Sequence, residues 1–227
     1  MELYSPKYID YLLEHPGESS KADYKSAVEF KEDEEFSFKL VKHILGFANS
    51  GGGYIVVGFK DSNLTLDPLL TEAITNSYDT TRLSQYVNSY ITNVTEKVNL
   101  VVHKITKSGK VIPVIWVNPF NKYPYFSSDK AKKKGFERIL KENSLYYRDE
   151  EAKTVELVNE AQFKKIIDIC VRNRHDEILQ EFTELLEKAT GKTLSEAISF
   201  KKETSDEWIP ESRERMKQAL DNAKGKE

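Results

Sequence analysis

The chain has 227 residues, 39% of them hydrophobic and 31% charged, with a formal net charge of −3. This is the balance of a globular protein with room for one domain and an appendage, or for two small domains. The lone cysteine, Cys170, excludes an internal disulfide and every cysteine-rich zinc site, and no apolar run approaches the ~18 residues of a membrane span.

The start, Met-Glu-Leu-Tyr-Ser-Pro-Lys, lacks the charged-then-apolar order of a secretory leader, so a reducing cytoplasm is the expected location. Tyr8 to Leu13 reads as a short helix ended by His15-Pro16-Gly17, and Ala22-Asp23-Tyr24-Lys25 as a short extended piece. Leu40, Val41, Ile44, Leu45 and Ala48 recur at three- and four-residue steps, the period of a helix with one buried face. Asn49-Ser50-Gly51-Gly52-Gly53 stops it, because glycine takes the left-handed conformation without a Cβ clash.

Tyr54-Ile55-Val56-Val57-Gly58-Phe59 is short, β-branched and apolar on both faces, as a covered central strand requires. Asp61-Ser62-Asn63 ends it with turn chemistry. A second helix is expected over 81–91, with Leu83, Tyr86, Val87 and Tyr90 inward. Residues 99–106 and 111–117 predict a hairpin across Ser108-Gly109, its second strand an edge locally because Pro113 cannot donate to a ladder. Leu145-Tyr146-Tyr147-Arg148 completes the strands.

Residues 1–158 therefore read as an α/β (α+β) domain with a mixed sheet flanked by helices. Residues 159–227 read as a C-terminal helical extension. Asn159 and Gln162 are spaced for a capping box. Phe163, Ile166, Ile167 and Cys170 form one apolar stripe, and Ile178, Phe182, Leu185, Leu186 and Ala189 another. Beyond Lys201 the chain is highly charged, with one further helix expected near 211–223.

Between Asn121 and Asn143 seven bases (Lys122, Lys130, Lys132, Lys133, Lys134, Arg138 and Lys141) stand against three acids (Asp129, Glu137 and Glu142). A local excess of +4 in a nearly neutral chain suits phosphates, whose neutralisation supplies much sequence-independent affinity. A solvated, lysine-rich loop is the bland alternative. Tyr123, Tyr125 and Phe126 beside these lysines are placed either to stack on unpaired bases or to anchor the loop.

In a strand, Asp23 and Lys25 share a face. A carboxylate beside an ammonium is a useful pair for phosphodiester hydrolysis, the first holding Mg²⁺ or Mn²⁺ and the second stabilising developing charge. Glu18 lies upstream, and Asp61 at the carboxyl end of the expected central strand, where open α/β sheets place ligands. Three carboxylates brought together would need a divalent cation to neutralise them. In the bland reading Glu18 and Asp61 are an exposed acid and a turn former. Val28-Glu29-Phe30-Lys31 offers a competing acidic-aromatic-lysine triplet, but Tyr24 stands where its upstream carboxylate would be.

Glu18-Ser19-Ser20-Lys21-Ala22-Asp23-Tyr24-Lys25, then Gly46-Phe47-Ala48-Asn49-Ser50-Gly51-Gly52-Gly53 running into the strand that ends near Asp61, resembles the Schlafen AlbA-like domain. Asn143 to Arg148 is similar to its tyrosine- and arginine-bearing strand, so the resemblance covers about residues 15 to 160. The sequence departs from the family pattern with Asp for Glu at 23 and Gly for Ala at 46. The resemblance implies a metal-dependent endoribonuclease acting on structured RNA such as tRNA, in a defence or stress response. Glu18, Asp23 and Asp61 would hold Mg²⁺ or Mn²⁺, with Lys25 assisting. Lys130, Lys132, Lys133, Lys134, Arg138 and Arg148 would meet the RNA backbone. By the same analogy one such lobe suggests a homodimer. Family members described as DNA-binding regulators give the alternative: a non-catalytic nucleic-acid-binding regulator on the same basic surface. An interaction module whose helical tail recruits a partner is a third reading.

ATP binding finds no support. Gly51-Gly52-Gly53 lacks a following Gly-Lys-Thr/Ser, and Gly191-Lys192-Thr193 has Leu186 where a phosphate loop needs glycine. His43, beside Lys39 and Lys42, is expected in solvent or on a phosphate. His103 falls in an expected strand, Cys170 reads as core packing in its helical stripe, and Trp116 and Trp208 read as packing or interface residues.

Overall fold

In the computed structural model, which describes residues 5–92 and 96–190, the chain divides into two compact units, Met1–Val171 and Arg172–Glu227. The expected helix near 211–223 and Trp208 lie outside the described residues. The first unit opens with α1 (Pro6–Glu14), whose N-cap Ser5 accepts from the Tyr8 N–H, with proline in the first turn where no N–H is missed. Then come β1 (Ala22–Lys25), α2 (Glu35–Ala48), β2 (Gly53–Val57), α3 (Glu72–Ser77), α4 (Thr80–Ser89), β3 (Leu100–Lys107) and β4 (Lys110–Val117). A single turn, α5 (Lys130–Lys133), precedes β5 (Tyr146–Arg148), β6 (Thr154–Glu156) and α6 (Glu160–Thr190).

The fold is mixed α+β. One four-stranded sheet runs in the order β1-β2-β4-β3, and β5 and β6 form a separate two-stranded sheet. β1 pairs parallel to β2, Asp23 opposite Ile55 and Lys25 opposite Val57; β2–β4 and β4–β3 are antiparallel. All five residues of β2 are buried, because helices cover both faces of the sheet. On one face Ile9, Leu12 and Leu13 of α1 pack on Tyr24, Tyr54, Val56, Val114 and Trp116. On the other, Val41, Ile44, Leu45 and Ala48 of α2, with Leu83 and Val87 of α4, pack on Ile55, Val57, Ile115 and Val117.

The turn of the β3–β4 hairpin puts Ser108 at φ 50° and Gly109 at φ 73°, the left-handed pair that suits the twist of a tight hairpin. β4 lies inside the sheet, but its pairing with β2 runs only from Val117 to Val114 and stops one residue short of Pro113. α3, α5 and β6 carry no periodic signal in the sequence because each is so short.

At the start of α6, Asn159 Oδ1 accepts from the Gln162 N–H at 3.0 Å, while Gln162 Oε1 accepts from the Val158 N–H at 3.0 Å. Only part of the first apolar stripe is covered. Ile166 is buried and Cys170 packs beside it against Leu145 and Tyr147, whereas Phe163 and Ile167 are exposed. Those contacts keep the opening turns of α6 in the first unit. In the second unit Ile178 and Leu185 are exposed, and the side chains of 182, 186 and 189 lie outside the described residues.

Candidate nucleic-acid interface

Alternation along β1 sends Ala22 and Tyr24 to the α1 face and Asp23 and Lys25 to the α2 face. Asp23 is only 3% exposed. Its Oδ1 accepts from Arg148 Nη1 at 3.3 Å, and its Oδ2 lies 2.6 Å from Lys25 Nζ. That ammonium meets the charge of Oδ2 without the angles of a hydrogen bond; Oδ2 and Arg148 Nε have no hydrogen-bond partner among the described residues. Arg148 Nη2 donates to the carbonyls of Ser19 at 3.0 Å and Ala22 at 3.4 Å, Nη1 also reaches Thr154 Oγ1, and the guanidinium lies 4.6 Å above the Phe47 ring.

His43, from α2, completes the cluster: its Nδ1 is 3.0 Å from Thr154 Oγ1 and 3.9 Å from Asp23 Oδ2. Burial drives its pKa down to about 4, outweighing the upward pull of Asp23, so it is neutral at pH 7 and makes no ion pair with that carboxylate. His43 is thus half-buried beside Asp23 rather than fully in solvent.

The three expected metal ligands are not gathered. Glu18 is exposed ahead of β1, and Asp61 is exposed in the turn beyond β2, accepting from Ser26 Oγ at 3.1 Å. Because β1 and β2 are parallel, Asp61 and Ser26 lie past the same strand ends, while Glu18 sits before the opposite end and Asp23 lies between. Among the described residues no group of three His, Cys, Asp or Glu could hold a metal ion. Asp23 is also flanked by two cations, so the cluster carries a net positive charge with His43 neutral. That donor set does not fit Mg²⁺ or Mn²⁺, which seek several anionic or neutral oxygens.

The basic stretch lies at the surface. Lys130, Lys132, Lys133, Lys134 and Arg138 are all exposed. Lys132 pairs with Glu142, Lys133 with Asp129, and Lys134 with Asp33 at 2.7 Å. The Lys134 ammonium holds the Asp33 carboxyl below its usual range, and Tyr90 Oη donates to the other oxygen of Asp33. Exposed pairs of this kind are worth only ~0–1 kcal/mol, so phosphates can displace the acids. Arg148, expected among these residues, is the exception. Its side chain is 1% exposed and occupied by Asp23, Thr154 and two carbonyls, so it does not reach a phosphate.

The aromatic residues divide. Tyr123 is 55% exposed and Phe126 39%, while Tyr125 is in the core and donates from its hydroxyl to the Lys97 carbonyl. Asn49 makes that division. Fully buried at the end of α2, it donates from Nδ2 to the carbonyls of Tyr125 and Tyr146, both at 2.9 Å, and accepts the Tyr125 N–H at 2.8 Å. Lys21 fastens the following turn by donating to the carbonyls of Ser50, Gly51 and Gly52 at 2.8, 2.9 and 3.2 Å. Sequence reasoning took Asn49 as part of a helix stop and passed over Lys21. The only sign of either was its place in the Lys21-Ala22-Asp23 and Ala48-Asn49-Ser50-Gly51 segments. Trp116 is buried against Tyr54, as a packing residue.

The fold and this surface define a class: a mixed α+β domain with a buried ion cluster at its first strand and an exposed basic segment pinned to its core. The Schlafen, AlbA_2 family profile matches residues 18–155, more than half of the chain, and the chain belongs to that family. Membership ties it to nucleic-acid-related function. No curated protein matches the sequence. Among solved structures, the DIP2311 protein of Corynebacterium diphtheriae is similar at 16% identity and a TM-score of 0.43, over 66% of this chain and 29% of that one. The N-terminal domain of a RecG-related protein of Nitrosomonas europaea is similar at 16% identity and a TM-score of 0.31, over 53% of this chain and 78% of that one. The chain thus spans under a third of the Corynebacterium protein, and nothing about function rests on likenesses at this level. Among the described residues no helix is long and apolar enough to cross a membrane.

Proposed function

We propose that the chain binds nucleic acid through Lys130, Lys132, Lys133, Lys134 and Arg138, without a metal ion and without cleaving it. The observation that carries the binding is the exposure of all five cations on one short segment, where Lys132, Lys133 and Lys134 can each trade a weak surface pair for a phosphate. Cleavage of RNA such as tRNA by Glu18, Asp23 and Asp61 is what the family resemblance implies. Its support is confined to the Asp23–Lys25 juxtaposition, since the other two acids lie elsewhere.

The test is fluorescence anisotropy with labelled tRNA in EDTA and in Mn²⁺, followed by gels of the same samples. Binding is expected to be equal in both buffers, with intact RNA. Replacing Lys130, Lys132, Lys133 and Arg138 by Gln should weaken binding at least about tenfold and flatten the log–log salt slope by about 3. Products that form only with Mn²⁺ and vanish in Asp23→Ala would restore the nuclease reading. Sedimentation of the same sample tests the homodimer that the family analogy implies.

A further inference from the structure

Resting on that reading, we infer that the ligand is single-stranded nucleic acid, taken by stacking unpaired bases on Tyr123 and Phe126 while the neighbouring lysines hold its backbone. Two large aromatic side chains stand exposed within the same basic segment, Tyr123 at 55% and Phe126 at 39%. Both ring faces suit bases, which every unpaired nucleotide offers and a duplex keeps in its own stack.

The backbone from Tyr125 to Ser128, which carries the Phe126 ring and follows Tyr123 by two residues, is held on several sides. Tyr125, between them, is bonded through both its N–H and its C=O to the buried Asn49 side chain. The Phe126 carbonyl accepts from the Thr92 N–H at 2.9 Å, and Phe126 bridges Leu145. Ser127 Oγ accepts the Ser144 N–H at 3.1 Å and donates to the Lys141 carbonyl. The Ser128 N–H donates to the carbonyl of Tyr90, whose hydroxyl reaches the Asp33 carboxylate that pairs with Lys134. The Phe126 ring and Lys134 therefore belong to one framework, with Tyr123 two residues before its first clamped position. Little backbone ordering is left at Phe126 for binding to impose, which is the condition under which stacking contributes fully.

The experiment compares labelled oligouridylate and oligothymidylate of about 20 nucleotides with a duplex of equal length, a span longer than the strand that one small domain covers. The intact protein should bind both single strands more tightly than the duplex. Tyr123→Ala and Phe126→Ala should each weaken single-strand binding about tenfold, leave duplex binding and the salt slope unchanged, and keep the far-ultraviolet circular dichroism spectrum. Tyr123→Phe and Phe126→Tyr, which keep a ring, should bind normally. Equal affinity for all probes, with the alanine variants binding like the parent, would overturn the inference while lysine-dependent binding stood. Failure of every probe to bind would remove both.

Discussion

Arg148 spends its guanidinium entirely inside the protein, and removal of that group has a calculable consequence. In Arg148→Met, Asp23 would stay buried with one cation instead of two, and the carbonyls of Ser19 and Ala22 would lose a donor. Breaking a buried pair from one side costs about 3–5 kcal/mol. Asp23→Asn should cost at least as much, since it leaves the buried Arg148 guanidinium beside Lys25 with no counter-charge, whereas Arg148→Met leaves Asp23 paired to Lys25; urea denaturation of both variants measures the difference. His43 supplies the pH dependence. Its folded pKa of about 4 lies below the unfolded value, so between the two only the unfolded chain binds the proton. Stability should rise with pH from about 4 to about 6.5 and level off above that, and His43→Gln should flatten the rise in urea titrations across that range. Sequence reasoning placed Asp23 and Lys25 together on one strand face from periodicity alone. It could not show that Arg148, so far along the chain, closes the same cluster, because long-range neutralisation of a carboxylate leaves no local pattern.

At the level of elements, Gly46 shows why this chain departs from the alanine of its family. A Cβ there would stand 2.7 Å from Cγ2 of Thr154 on β6, and Thr154 cannot step aside without loosening its contacts with His43 and Arg148. Gly46→Ala gains helix propensity of about 1 kcal/mol but incurs overpacking of about 1–3 kcal/mol, so a net loss is expected. Gly46→Ala with Thr154→Ser should recover most of it, and the melting temperatures of the two variants decide the matter. Elements of some length were legible: α2 from its apolar steps, β2 from its unbroken β-branched run, and the hairpin from two extended segments meeting across Ser108-Gly109. The three-residue β6 was not, and with it went the partner that makes glycine the better residue in α2. The Asn49 clamp was hidden for a similar reason, since a C-terminal asparagine before glycines reads first as a helix stop.

For the molecule as a whole, the mixed sheet under helices was readable from the order of its strands and helices. Composition changes after Asn159, but Ile166 and Cys170 carry the first unit on to Val171. The charge distribution explains how a protein of net charge −3 can present a cationic face, since its acids are spread while five of its exposed bases crowd into one short segment. One consequence concerns assembly. A parallel strand at the margin of a sheet is an invitation to strands from other molecules, through whatever carbonyls it leaves vacant. Arg148 occupies the Ala22 carbonyl at that margin and the Ser19 carbonyl just before it, so the residue that neutralises Asp23 also withholds one edge acceptor from an incoming strand.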